Sequence, residues 1–63
     1  MITLYENKNI RVVNGEVKGI KELRGLSTDE KPTAGIDNGS VFIEIDTGKV
    51  FMFDLKNAEW KEI

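Results

Sequence analysis

Val41-Phe42-Ile43-Glu44-Ile45-Asp46-Thr47-Gly48-Lys49-Val50-Phe51-Met52-Phe53 is the stretch on which the fold turns. Two runs dense in β-branched and aromatic residues flank a short polar segment. Such runs suit a pleated, half-buried surface, while Asp, Thr and Gly favour chain reversal. The stretch predicts a β-hairpin turning at Asp46-Thr47-Gly48. Loop length then decides which side chains share a face, because a one-residue slip moves the whole set to the other side. A two-residue loop would set Ile45 opposite Val50 and Glu44 opposite Phe51. A three-residue loop would set Ile45 opposite Lys49, Ile43 opposite Phe51 and Val41 opposite Phe53. Thr47 is poor at positive φ, whereas Gly48 suits the left-handed position of a G1 bulge. The three-residue loop is therefore the expectation. It gathers Val41, Ile43, Ile45, Phe51 and Phe53 on one face and leaves Phe42, Glu44, Val50, Met52 and Asp54 on the other. Phe42, Val50 and Met52 are too apolar for an ordinary wet face. Either the N-terminal hairpin or a partner covers them, and they are the candidate interaction residues.

On the C-terminal side, Leu55-Lys56-Asn57-Ala58 reads as a short connection. Glu59-Trp60-Lys61-Glu62-Ile63 reads as a third strand, so residues 41–63 form a β-meander. On the N-terminal side, residues 26–40 carry Pro32, Gly35 and Gly39 among Ser, Thr, Asp and Asn, which is loop chemistry. So long a connection is unusual in so small a domain. Ile36, its only large apolar residue after Leu26, is expected to pin it to the core. Ile20-Lys21-Glu22-Leu23-Arg24 suits one helical turn or a strand extension, stopped by Gly25 in either case. Ile10-Arg11-Val12-Val13 and Glu16-Val17-Lys18-Gly19-Ile20 flank Asn14-Gly15, the strongest short hairpin signal, since both positions tolerate positive φ. Ile2-Thr3-Leu4-Tyr5 reads as a strand and Asn7-Lys8-Asn9 as a turn. The fold class expected is mostly β, in a single domain over residues 1–63. It is a small antiparallel sheet of hairpins, an N-terminal hairpin plus the meander, with a long central loop and little or no helix.

Sixty-three residues bury only a marginal core, and folds of this size usually add a disulfide, a metal or a second subunit. There is no Cys and no His, so thiolate ligands, imidazole ligands and the commonest general base are missing. That leaves oligomerisation, or an unusually good small core. Nine basic and eleven acidic residues give a net charge of −2 with the signs mixed along the chain. No basic stripe points to nucleic acid. The longest apolar run is four residues, Val50 to Phe53, far short of the ~20 a membrane span needs. The first residues lack a signal-peptide pattern. The expectation is a cytoplasmic location unless a larger particle carries the chain outside, no cofactor, no nucleic acid, no membrane, and a partner that is another protein or the chain itself.

Asp46-Thr47-Gly48 is also the triplet of aspartic proteases, which need two carboxylates sharing a proton. Lys49 stands where those enzymes have a small residue, and no later apolar-apolar-Gly segment supports a catalytic loop. The triplet is better read as turn chemistry, and the chain is expected not to be an enzyme. Asn38-Gly39-Ser40 matches a glycosylation sequon but reads as loop. Asp29, Glu30 and Asp37 fit no cation-loop spacing. Ser27 and Thr28 have no His to activate them. Trp60, Phe51 and Phe53 would make a stacking platform, but without a basic surround they read as core.

Gly25-Leu26-Ser27-Thr28-Asp29-Glu30-Lys31-Pro32-Thr33, Asn38-Gly39-Ser40, Phe42 to Asp54 and Trp60 together resemble small phage and prophage proteins of Gram-positive bacteria. Those share a pattern of the form GLSTD-KPT, NGS, DTGK followed by alternating aromatics, and a late Trp. The resemblance spans residues 23–62. It implies a non-enzymatic virion-associated or morphogenesis protein with a small β fold, acting through protein contacts, and transfers no catalytic residue. The alternative is a small phage-encoded inhibitor of a host or defence enzyme.

Overall fold

The computed structural model describes residues 1–63. Five strands form one sheet: β1 (Thr3–Val13), β2 (Glu16–Gly25), β3 (Val41–Glu44), β4 (Val50–Asp54) and β5 (Glu59–Glu62). They lie in chain order, β1-β2-β3-β4-β5, and there is no helix. The all-β expectation holds, with one departure from a purely antiparallel sheet. β2 and β3 run parallel, while the other three pairs are antiparallel.

Asn14 and Gly15 take φ of 51° and 80°, the pair of positive values a two-residue primed turn requires. Val13 faces Glu16 across that turn. The hairpin is longer than Ile10 to Ile20, because Ile2 to Tyr5 and Asn7 to Asn9 do not separate into a strand and a turn. From Thr3 onward they belong to one continuous β1, which accommodates an extra residue between Leu4 and Glu6 and another between Lys8 and Arg11. Asn9, at φ 53°, sits in the second irregularity. Its turn chemistry is spent on a bulge. Ile20 to Arg24 resolves as strand, and Gly25 ends it.

The parallel β2/β3 pair accounts for the long segment over 26–40. Parallel neighbours need a crossover of a dozen or more residues, and here it carries no helix. Part of it re-enters the sheet: Ile36 bridges Gly19 in parallel, with Gly19 N–H donating to Gly35 O and Asp37 N–H donating to Gly19 O. Ile36 is buried and joins Leu23, Phe42 and Phe53 in the core, so it pins the crossover as expected.

The C-terminal meander forms, but in neither expected register. Val41 faces Met52, Phe42 faces Phe51 and Ile43 faces Val50. Glu44 N–H donates to Lys49 O and Gly48 N–H donates to Glu44 O, which closes a four-residue loop, Ile45 to Gly48. Gly48 takes φ 76°, the left-handed conformation assigned to it. The extra loop residue reverses the partition of faces. Phe42, Phe51 and Phe53 lie together on one side, with Trp60 opposite Phe53 and Leu23 beside Phe42. Val41, Ile43, Val50 and Met52 lie together on the other.

The crossover covers the aromatic side. Trp60 stands edge-on to Phe42 at 5.9 Å and tilted against Phe53 at 5.0 Å, and its indole N–H donates to Pro32 O at 2.9 Å. Lys31 Nζ lies 4.8 and 4.4 Å from the ring centres of Phe42 and Phe51 and 2.7 Å from Glu44 Oε2. Glu44 is buried, so without that ammonium its charge would be costly to hold there.

Candidate functional site

The side of the sheet turned away from the crossover is the candidate site. Successive strand residues alternate sides, so the cross-strand partners settle its make-up. One row crosses four strands as Glu22, Val41, Met52 and Lys61. The next row runs Arg24, Ile43 and Val50. Four apolar side chains thus sit in two directly opposed pairs, with charged residues at the flanks. Met52 is 44% exposed, and Val41, Ile43 and Val50 are half-buried by one another. The flank charges pair along their own strands. Arg24 donates to Glu22 and lies 4.2 Å from the Tyr5 ring centre, and Lys61 lies 3.2 Å from Glu59.

Of the three candidate interaction residues, Val50 and Met52 fall on this open face. Phe42 does not: it is 0% exposed, at the centre of the core between Leu23 and Phe51. The correction follows from the four-residue loop, which moves Phe42 inward and brings Val41 and Ile43 out in its place. The N-terminal hairpin does not cover the open face either, since β1 packs against no strand other than β2. A second group of exposed apolar residues, Ile10, Val12 and Val17, lies near the far end of that hairpin.

Asp46, Thr47 and Gly48 form a clasp. Ser27 Oγ and N–H donate to the two oxygens of Asp46 at 2.5 and 2.9 Å, tying the start of the crossover to the hairpin loop. The Ser27 hydroxyl, then its N–H, hold the Asp46 carboxyl below the ordinary carboxylate range. Thr47 Oγ1 donates to Glu44 Oε1 at 2.6 Å. The Lys31 ammonium and then this hydroxyl lower Glu44 in the same way.

The acidic residues of the crossover lie apart. Asp29 accepts from Leu26 N–H and from the Met1 ammonium. Asp37 accepts a bidentate pair from the Arg11 guanidinium, at 2.5 and 2.7 Å, which holds its carboxyl down to about 2. Glu30 is exposed. Trp60, Phe51 and Phe53 serve the core. Reading the sequence missed the Ser27–Asp46 clasp and the Arg11–Asp37 pair, because each joins residues 19 or 26 apart that only the parallel pairing brings together.

No protein-family model, no curated protein and no solved structure matches the chain. The structure has no helix long and apolar enough to cross a membrane.

Proposed function

We propose that the chain is a non-enzymatic accessory protein of a phage or prophage, associated with the virion or its assembly, and that it acts by protein–protein contact through the open face of β2–β5. The observation that carries the reading is the apolar quartet Val41, Ile43, Val50 and Met52, three half-buried and Met52 exposed, on the side of the sheet that the crossover does not seal. An apolar cluster with a charged rim is the anatomy of a contact surface. The resemblance of residues 23–62 to small phage proteins supplies the setting, host cytoplasm or virion. The engagement of Asp46 and Glu44 by Ser27, Thr47 and Lys31 favours a structural part for the one motif with catalytic associations.

Mass spectrometry of purified virions is the test. The chain is expected in the particle at a fixed ratio to a structural protein, and Met52→Glu is expected to lower that ratio. Absence from particles and from assembly intermediates, with one host enzyme retained in stoichiometric amount, would overturn the reading and favour the inhibitor alternative.

A further inference from the structure

The row Glu22–Val41–Met52–Lys61 reads acidic, apolar, apolar, basic from β2 to β5. Glu6 stands beside Glu22 on β1 and extends the acidic end. Such a row is complementary to itself when turned end for end. A two-fold axis along the strands, between β3 and β4, maps β2 onto β5 and β3 onto β4. It sets Glu22 over Lys61 of the second copy, Val41 over Met52 and Ile43 over Val50, and each contact occurs twice, as an isologous interface requires. Every apolar residue of the quartet then meets an apolar residue, and each end of the row meets the opposite charge.

Two sheets stacked about 10 Å apart would bury the quartet as the second half of a sandwich core. The chain's own core has only four buried apolar residues, the condition in which a small fold gains most from a second subunit. Of the edge-to-edge routes to self-association, strand addition at β1 is blunted by its two irregularities and by Lys8 and Arg11, and β5 offers an edge of only four residues.

We infer that the chain forms a face-to-face homodimer through the open side of β2–β5, aligned by Glu22 and Lys61. The inference rests on the reading of this face as a contact surface and names its occupant as a second copy. Sedimentation velocity of the purified chain across a concentration series is the test, with circular dichroism to confirm that each variant keeps the β fold. A reversible dimer is expected. Glu22→Lys and Lys61→Glu are each expected to weaken it about tenfold, since each places like charges at two symmetric contacts. The double variant restores opposite charges and is expected to recover most of the loss. A monomer at every concentration, or a double variant weaker than either single one, would overturn the inference. A monomer that still enters virions would remove the dimer and leave the contact reading standing. A dimer absent from virions would support the dimer and count against the phage role.

Discussion

Gly25 ends β2 where the chain passes over Phe42. A methyl group there would stand 2.9 Å from Phe42 Cζ, 3.0 Å from Asp29 Oδ2 and 3.2 Å from Ile2 Cγ1. Phe42 is fully enclosed, so it cannot swing aside, and overpacking of this kind costs about 1–3 kcal/mol. Gly25→Ala is expected to lower stability by that amount in urea unfolding, and an unchanged midpoint would show the site to be looser than described. The carboxylates set the response to acid. Asp37 is held at about 2, chiefly by Arg11, against the ordinary aspartate value of 3.8, and Glu44 lies below the ordinary 4.5 through Lys31 and Thr47. A carboxyl whose folded value is depressed adds stability that is complete above its unfolded value and is lost as pH falls through the folded one. Urea midpoints are therefore expected to hold above pH 5 and to fall steadily from about pH 4.5 to 2. Arg11→Met should flatten the lower part of that decline. A rise in stability on acidification would contradict the paired state of both groups. At this scale the sequence was partly legible. Asn14, Gly15 and Gly48 announce their left-handed backbone because few other residues tolerate it, whereas Arg11 and Asp37 carry no local mark of each other.

The elements were legible where local chemistry forms them and not where pairing does. Asn14-Gly15 admits one loop length, so the first hairpin could be placed. Gly48 admits more than one, because three- and four-residue loops can both end on a left-handed residue. The register of β3 on β4 then depends on Glu44 closing against Lys49, a contact that patterning does not reveal, and one residue of slip exchanged Phe42 for Val41 and Ile43 on the open face. Strand direction was less visible still. A helical crossover would show a 3.6-residue period, but this one is irregular, and only its length matches what a parallel pair requires. Ile36 is its anchor. Ile36→Ala is expected to cost about 2–4 kcal/mol, because the β-bridge at Gly19 keeps the site from collapsing around the missing methyls. Val17→Ala, on an exposed side chain two residues before that bridge, should change stability by less than about 0.5 kcal/mol. Equal effects in thermal melts would mean that the crossover is not pinned where described.

The molecule as a whole is a single sheet with one side packed and one side bare. The crossover seals the aromatic side through Ile36, Lys31 and the Trp60 bond to Pro32, and the clasp of Ser27 on Asp46 holds its first turn. A sheet of this size with two apolar faces has no second layer of its own to offer, and the remaining hydrophobic surface is therefore available to another polypeptide. Legibility at this scale was confined to the imbalance: an excess of apolar residues in 41–53 over what one small layer can hide was visible, but the choice of face waited on the register. The central claim is that Met52 faces another polypeptide while Phe51, its neighbour, faces the chain's own core. Photo-crosslinking from a benzophenone side chain placed at position 52 tests it most directly. The expected result is an intermolecular adduct, resolved by mass spectrometry, whereas the same group at position 51 gives adducts within the chain or disrupts the fold. Adducts from position 52 confined to β1, or none to any polypeptide at concentrations where the chain associates, would contradict it.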